Sequence, residues 1–327
     1  MSDPVLSIIL CTHNPDRERL RRVLTALSGQ TLPSTAWELL LIDNASHPPV
    51  SSADCTPDKP ATSRTAASPF PFRILVEPTP GLTAARMRGI RESKGEFLVL
   101  VDDDNLLAPD YLEQTLAAFS RLPRVGALGG KSVPEFPAPL PANDWRREFF
   151  PLLALRDLGG VEQISPGLRP PGSTRNVYPL CAPIGAGMAL RREPIRAWLD
   201  QKAPTALTDR RGTELTSSGD NDIVFSVLKN GWEVAYIPAL SLTHLIPASR
   251  LTAPYLARLN HGIQKSWTQL LAFHEASPWP PIPRWTLPFR KLKARLTYRA
   301  WRSSAAAVRW SGACGHFEGR ANPLPRA

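Results

Sequence analysis

The chain has 327 residues, of which 43% are hydrophobic, and a formal net charge of +10. This composition supports a substantial folded core and excludes an intrinsically disordered protein. The four cysteines are too scattered for a disulfide framework or a CxxC zinc site, so reduced thiols are expected. The sequence shows neither a basic leader nor a run of 18 apolar residues, which predicts a cytoplasmic protein.

Apolar, β-type segments alternate with helical patterns over the first 130 residues. Such alternation predicts an α/β fold of the Rossmann type, with a mostly parallel sheet and helices on both faces. The strand-like segments are VLSIIL at 5–10, WELLLIDNAS at 37–46 with its apolar run ending on Asp43, FRILVEP at 72–78 and EFLVLV at 96–101. Residues 45–72 are rich in Pro, Ser, Ala and Thr and are predicted to form a loop insertion.

Polar side chains follow three of these segments at the point where each one ends. His13 and Asn14 follow the first, Asp43 ends the second, and the run from Asp102 to Asp104 ends the last. Ligands of parallel sheets collect at the carboxyl ends of the strands. These residues are therefore predicted to converge on one binding rim.

The three consecutive aspartates allow two interpretations. Like charges at this spacing repel, so a positive partner is expected nearby. Asp104 or Asn105 could cap the helix that APDYLEQTLAAF suggests. Alternatively, Asp102 and Asp104 could point together and bind a hard divalent cation, Mn²⁺ or Mg²⁺. The stretch alone does not decide between the two.

The second half of the chain adds further polar candidates. Asp220 and Asp222 stand at the start of a predicted helix, where capping is the alternative to a role in a site. Gly185 and Gly187 fall in a turn before a short predicted strand, and His244 follows another strand in LTHLIP. A lone histidine in that position is more often structural than a ligand.

Together these residues resemble the family 2 glycosyltransferases over about residues 5–250. SIILCTHN is similar to the first strand of that family and LLLIDNAS to the second. GLTAARMRGIRESKGEFLVLVDDDN is similar to its ordered series of Gly-Leu, Ala-Arg, Gly-Ile and DxD. The resemblance implies a GT-A fold and an inverting enzyme that uses a nucleotide-diphosphate sugar.

The resemblance also implies roles at the nucleotide end. Cys11, His13 and Asn14 would line the pocket for the base, and Asp43 would hydrogen-bond to it. Arg86 would support the floor of the site or approach the phosphates.

At the metal end, the resemblance implies that Asp102 and Asp104 form the DxD motif that holds the ribose and a divalent metal. Asp103 would contact the donor sugar. His244 would join Asp104, and Asp102 where it reaches, in the metal shell.

The general base that the resemblance implies is Asp220, with Asp222 as the second acid. Gly219 stands where the family usually has a glutamate, and a two-residue slip in the alignment would make Asp222 the base. Gly185 and Gly187 match the preceding loop, where the backbone would approach the donor sugar or the acceptor.

The positive charge belongs to the C-terminal part of the chain. Residues 284–327 carry ten basic residues and one acid, whereas residues 1–283 carry 29 and 28. This makes nucleic acid a poor partner for the globular part. A predicted amphipathic helix carries a basic stripe and an apolar stripe, formed by Lys291, Arg295, Arg299 and Arg302 and by Phe289, Leu292, Leu296 and Ala300. It could pack on the core or attach to an anionic membrane surface, on the inner face of the cytoplasmic membrane.

The predicted organisation has four parts. They are a GT-A catalytic domain at 1–248, with its donor half at about 1–130 and its acceptor half at about 131–248; a connecting helix at 249–276; a proline-rich hinge and basic helix at 277–310; and a disordered tail at 311–327. The family implies transfer of a sugar to a hydroxyl of a sugar or lipid-linked acceptor in bacterial cell-surface polysaccharide or glycolipid assembly. The alternative is a catalytically silent nucleotide-binding or scaffold protein at the membrane surface.

Overall fold

The computed structural model describes residues 3–55, 70–169, 174–200, 215 and 217–324. These residues form nine strands and eight α-helices. The strands are β1 (Leu6–Thr12), β2 (Trp37–Asp43), β3 (Phe72–Val76), β4 (Phe97–Asp102), β5 (Asn105–Leu107), β6 (Val125–Glu135), β7 (Gln163–Ser165), β8 (Ala189–Arg191) and β9 (Glu233–Leu245). The helices are α1 (Arg17–Ser28), α2 (Leu82–Glu92), α3 (Tyr111–Arg121), α4 (Arg192–Asp200), α5 (Gly219–Lys229), α6 (Ala253–Phe273), α7 (Leu287–Tyr298) and α8 (Ser304–Ala321).

One sheet runs through the molecule in the order β3-β2-β1-β4-β8-β6-β9-β5, and β7 pairs with β9. The first four strands are parallel, as the alternation of strands and helices predicted. Beyond β4 the sheet is mixed, because β8 runs antiparallel to both β4 and β6 while β6 and β9 are parallel. The carboxyl ends of β1, β2 and β4 therefore lie side by side on one rim.

Alternating side chains of β1 explain why the sheet is covered on both faces. Leu6, Ile8 and Leu10 belong to one buried hydrophobic cluster, whereas Ile9 and Cys11 belong to a second cluster on the other face. A strand that is apolar on both faces needs helices on both sides to exclude water. This burial anchors the rim to a rigid core.

Two segments differ in detail from a simple strand or loop. Residues 233–245 form one continuous strand that includes Pro238. The register of β9 against β6 shifts between Gly129 and Lys131, and this irregularity accommodates the residue that cannot donate to the ladder. In the predicted loop 45–72, residues 52–55 form a 3₁₀ turn, Phe72 begins β3, and residues 56–69 lie outside the described residues.

The C-terminal region contains more ordered structure than was predicted. The sequence predicted a disordered tail at 311–327. This prediction is wrong for residues 311–321, because α8 continues to Ala321 and packs along α6. Residues 325–327 lie outside the described residues. No helix among the residues that the structure describes is both long and apolar enough to cross a bilayer.

The predicted basic stripe at 291–302 is also wrong. Helix α7 ends at Tyr298 and Arg299 adopts a left-handed φ of 50°, so Arg302 does not continue the helical face. Lys291 instead bonds to Glu318 of α8 at 2.7 Å.

The close contact between α6 and α8 depends on three glycines of α8: Gly312, Gly315 and Gly319. A Cβ atom on Gly315 would overlap the backbone carbonyl of His261, and one on Gly319 would overlap Thr268 and the carbonyl of Lys265. The missing side chains allow the two backbones to touch, and backbone atoms cannot move aside as a flexible side chain could.

We predict that Gly315→Ala lowers the free energy of unfolding by about 1–3 kcal/mol, because the new methyl group forces α6 and α8 apart. Thermal or urea unfolding measures the loss. Gly160→Ala is the matched control, since no atom lies within 4 Å of the position that its Cβ would take. Equal stability of the two variants would contradict this account of the helix contact.

Candidate active site

A cleft of about 320 Å³ opens at the carboxyl ends of β1 and β4. This volume lies at the lower end of the range for small-molecule sites, about 300–1,000 Å³. Its lining combines part of the predicted rim with residues of the second half of the chain. The polar and glycine lining residues are Thr12, His13, Asn44, Gly81, Arg86, Asp102, Asp103, Asp104, Gly185, Ser217, Asp220, His244 and Arg250.

The three aspartates occupy a tight turn between two strands. Strand β4 ends at Asp102 and β5 begins at Asn105, so neither Asp104 nor Asn105 caps a helix. The helix that was expected to use them begins at Tyr111, four residues after the end of β5, with Asp110 at its N-cap. Asn105 is fully buried and donates its amide to Asp104 at 3.1 Å, which stabilises the turn. The capping interpretation is therefore wrong.

Each of the three carboxylates has its own partner. Arg86 lies 3.4 Å from Asp102, and Arg250 lies 2.8 Å from Asp104. The hydroxyl of Thr12 donates to Asp103 at 2.5 Å. Burial, followed by the charge of Asp104, raises the pKa of Asp103 to about 6. The positive partners that the repulsion predicted are thus two arginines from different parts of the chain.

His244 approaches the aspartate turn from β9. It pairs in register with Asn105, and its Nε2 lies 3.3 Å from an oxygen of Asp104. Its Nδ1 is buried and has no hydrogen-bond partner among the described residues. The histidine and the acid that the sequence suggested as metal ligands therefore lie together.

Whether this arrangement suits a metal depends on the source of the remaining ligands. Among the described residues no group of three His, Cys, Asp or Glu side chains is arranged to hold an ion. Arg250 also occupies one oxygen of Asp104. The donor set does not form a protein-only cage, but it fits a hard cation that takes one or two carboxylates from the protein and the rest from a diphosphate.

Asp220 and Asp222 point to different places, although only one residue separates them. Asp220 lines the cleft, and one of its oxygens accepts the backbone N–H of Gly185 at 2.8 Å. Asp222 is buried behind the cleft, where it accepts hydrogen bonds from Trp198 at 2.8 Å and His274 at 2.7 Å. Ser218, not an aspartate, occupies the N-cap of α5.

The predicted base pocket is only partly assembled from the residues expected. Cys11 and His13 line the cleft, and burial raises the pKa of the Cys11 thiol to about 12, so it stays protonated. Asp43 is absent from the lining, because both of its oxygens accept backbone N–H groups of its own loop, from Ser46 and Val50. The next residue, Asn44, lines the cleft instead.

Asn14 and Gly187 also lie outside the cleft lining. Asn14 has a positive φ of 48° and binds the 45–50 loop through Ser46 and His47. Gly187 has a φ of 71°, and a Cβ there would collide with Tyr111. Both residues shape loops beside the site. Gly185, in contrast, lines the cleft between Arg86 and Asp220.

Residues 7–168 match the family model described as glycosyl transferase family 2. This segment belongs to glycosyltransferase family 2. The GT-A type of α/β fold that the sequence predicted is confirmed by this membership together with the sheet. The family 2 segment contains the nucleotide-end candidates and the aspartate turn, whereas Asp220, His244 and Arg250 follow it along the chain.

Curated relatives match a similar part of the chain. AglE of Haloferax volcanii, a glycosyltransferase, is 30% identical over 118 residues, which are 36% of each protein. EpsH of Bacillus subtilis, a protein named as a glycosyltransferase, is 29% identical over 116 residues, 36% of this chain and 30% of EpsH. The chain therefore spans about a third of the length of the curated relatives that it matches.

Among solved structures, the crystal structure of S. aureus TarS 1-349 in complex with UDP has a TM-score of 0.47 and 14% identity. The superposition covers 95% of this chain and 89% of that one. A second structure of S. aureus TarS has a TM-score of 0.49 and 16% identity, covering 94% and 55%.

Three cleft residues that lie near predicted site residues in the sequence were not predicted themselves: Thr12, Asn44 and Arg250. Thr12 lies between two residues that were selected, and Asn44 follows one directly. Arg250 follows His244 by six residues and lies just after β9. The repulsion within the aspartate run was a signal that a cation must lie nearby, but the sequence did not indicate which of its 39 basic residues would supply it.

We predict that His274 makes stability sensitive to acid. Burial is the largest effect on His274 and lowers its pKa below the ordinary 6.5, although the bond to Asp222 opposes this. As pH falls below 6.5, the unfolded chain takes up the proton before the folded chain does, so stability decreases.

Urea unfolding at about pH 7.5 and about pH 5.5 measures this contribution. His274→Gln keeps an N–H donor for Asp222 but cannot titrate, so its stability should change less between the two pH values. His47→Gln, at an exposed position, should behave like the unmodified protein. An equal change in all three proteins would show that His274 does not titrate in this window.

Proposed function

We propose that the chain is an inverting glycosyltransferase that moves a sugar from a nucleotide-diphosphate sugar to an acceptor hydroxyl. The observation that carries this proposal is that Asp220 and the aspartate turn line one cleft, with Arg86 between them. Arg86 Nη2 and Asp220 Oδ2 each lie 2.9 Å from the position that a Cβ of Gly185 would take. Arg86 also lies 3.4 Å from Asp102. A donor with its diphosphate at the turn would hold its sugar near Asp220.

The nucleotide would occupy the part of the cleft formed by β1 and the residue after β2. His13 offers an exposed ring there, fixed by a 2.6 Å hydrogen bond from its Nδ1 to the carbonyl of Asn44. The side chain of Asn44 is itself held by Thr79 and Gly81, at 2.7 Å each. We propose that His13 packs against the base beside Cys11, and that Asp43 acts indirectly by holding the loop that follows β2.

A divalent metal, Mn²⁺ or Mg²⁺, would be held by Asp104, with Asp102 and His244 beside it and the diphosphate completing its ligands. When bound, it would stabilise negative charge on the leaving diphosphate as a Lewis acid. Arg250 lies 2.8 Å from Asp104 and Arg86 lies 3.4 Å from Asp102, so both guanidiniums are also positioned to contact phosphate oxygens. Asp103, held by Thr12, would face the donor sugar.

The reaction needs a carboxylate that removes the acceptor's proton. The acceptor oxygen forms a bond to the anomeric carbon while the bond from that carbon to the diphosphate breaks, and the hydroxyl proton passes to Asp220. The transition state resembles an oxocarbenium ion, and one displacement inverts the anomeric centre. Asp220 suits this role because it lines the cleft, where the backbone N–H groups of Gly185 and Asn221 bind its two oxygens and fix its direction. Asp222 suits it poorly, because it is buried in the core, where Trp198 and His274 bind it away from the cleft.

The acceptor that we propose is a sugar or a lipid-linked compound used in cell-surface polysaccharide or glycolipid assembly, at the cytoplasmic side of the membrane. Family membership supports this class of pathway but no particular donor or acceptor.

We predict that one of UDP, GDP and dTDP binds in the presence of Mn²⁺, and that its affinity falls at least about tenfold with EDTA or in Asp104→Asn, a loss of about 1.4 kcal/mol. Isothermal titration calorimetry measures each combination. Asp157→Asn, which changes an exposed carboxylate paired with Lys131, is the matched control and should bind normally. Failure of all three nucleotides to bind would remove the donor part of the proposal.

We predict that Asp220→Asn lowers turnover by about 10²- to 10⁴-fold, because the positioned base is lost, while nucleotide affinity is retained. Release of nucleoside diphosphate from the sugar donor of the base that binds measures turnover. Asp222→Asn should instead lower the melting temperature, since it disturbs a buried pair. Full turnover in Asp220→Asn would assign the base elsewhere, and nucleotide binding without any turnover in the unmodified protein would favour the silent nucleotide-binding alternative.

A further inference from the structure

Helix α7 presents its apolar side to solvent. Phe289, Leu292 and Leu296 lie at helical spacing on one side of α7, and Trp285 and Trp301 lie in the turns before and after the helix. Their exposed fractions are 74% for Trp285, 68% for Phe289, 57% for Leu292, 58% for Leu296 and 60% for Trp301. We call these five residues the apolar face. Monomeric soluble proteins rarely expose so many large apolar side chains together, so the face marks an interaction surface.

The opposite side of α7 fixes this orientation. Ala294 is buried against the protein, and Lys291 bonds to Glu318 of α8 at 2.7 Å. The indole of Trp310 donates to the carbonyl of Lys291 at 3.1 Å, and Arg295 lies over its ring. Because these contacts hold the helix by its polar side, the apolar face cannot turn inward without breaking them.

The charge around the apolar face selects its partner. Residues 284–303 contain seven basic residues and no acidic residue. Arg284, Lys293, Arg299 and Arg302 are exposed around the apolar residues. A second copy of this surface would bring like charges together. An anionic lipid surface offers both an apolar layer and negative charge, and Trp, Phe and Arg are typical of segments that lie in the interface of a bilayer.

We propose that the apolar face of α7 docks the protein on an anionic lipid bilayer, with Trp285, Phe289, Leu292, Leu296 and Trp301 entering the interface and the surrounding basic residues contacting lipid headgroups. The helix lies flat in this arrangement. The docking concerns the surface of the bilayer and requires no membrane-spanning segment.

One end of the apolar face lies beside the start of α6, a few residues after the cleft residue Arg250. Trp301 lines a surface groove together with Pro254 at the start of α6, and Arg250 lines the cleft four residues earlier. Four residues of extended chain span at most about 14 Å. If the proposed transfer reaction is correct, docking through this face brings the cleft near the bilayer surface, and the acceptor class that it favours is a hydroxyl compound carried on a lipid.

Co-sedimentation with vesicles tests the docking without reference to nucleotide binding or turnover. The full chain should sediment with vesicles of phosphatidylcholine and phosphatidylglycerol and much less with phosphatidylcholine alone. The triple variant Phe289→Ser, Leu292→Ser, Leu296→Ser should bind at least about tenfold more weakly. Lys293→Gln with Arg302→Gln should weaken binding by about fivefold for each charge removed and reduce its salt dependence.

Two controls separate docking from general effects. Val161→Ser with Leu180→Ser removes exposed apolar side chains elsewhere on the surface and should leave vesicle binding unchanged. Circular dichroism of every variant checks that the fold is retained. No sedimentation of the unmodified protein, or equal sedimentation of the triple variant, would overturn the proposal. A dimer in solution that the triple variant abolishes would assign the face to a second copy instead.

Discussion

Three adjacent carboxylates at the end of a central strand are the constraint around which the cleft is built. Left unpaired, Asp102, Asp103 and Asp104 would repel one another in a partly buried site. Groups from three parts of the chain bind these carboxylates and reduce the repulsion: Thr12 from β1, Arg86 from α2 and Arg250 from the segment after β9. Because each partner comes from a different part of the chain, charge compensation joins the parallel half of the sheet to the mixed half. The loss of any one partner would therefore remove a stabilising contact from a cluster of three like charges.

The same arrangement explains how an acidic turn could receive an anionic diphosphate. Two guanidiniums already neutralise the outer carboxylates, so the local field is less negative than the sequence suggests. In the proposed function, Asp104 would hold a divalent cation that stabilises charge on the diphosphate, and Arg250, 2.8 Å from Asp104, would lie close to the phosphates. Asp222 contributes differently. Its bonds to Trp198 of α4 and to His274 at the end of α6 hold the first turn of α5 in place. Asp220 lies two residues earlier in the same turn, so these bonds also fix its position.

Helix α7 packs on the protein through its polar side and exposes its apolar side, which is the reverse of the usual orientation of an amphipathic helix. Glycines let α6 and α8 approach closely, and the polar side of α7 then docks on α8 through Lys291 and Trp310. The apolar residues of α7 consequently remain in solvent. A stability argument alone would favour the reverse orientation, since burying a Leu or Phe side chain contributes about 1.5–3 kcal/mol. The cost of exposing them is consistent with a partner that covers them.

The sequence by itself determined the α/β class, the parallel direction of the first strands, and the convergence of His13 and the three aspartates at 102–104 on one rim. These features follow from the periodicity of hydrophobic residues and from the direction of successive strands, which are local properties of the chain. It could not decide between Asp220 and Asp222, identify Arg250, or tell which side of α7 faces the protein. Each of those depends on contacts between residues far apart in the sequence: Asp222 meets His274, Asp104 meets Arg250, and Lys291 meets Glu318. Asp43 was expected to line the cleft, but it binds the backbone of the loop after β2 instead. A helix cap was possible at Asp104, but the residues that follow form β5 by pairing with β9. The hydrophobic pattern of the sequence does not indicate either pairing.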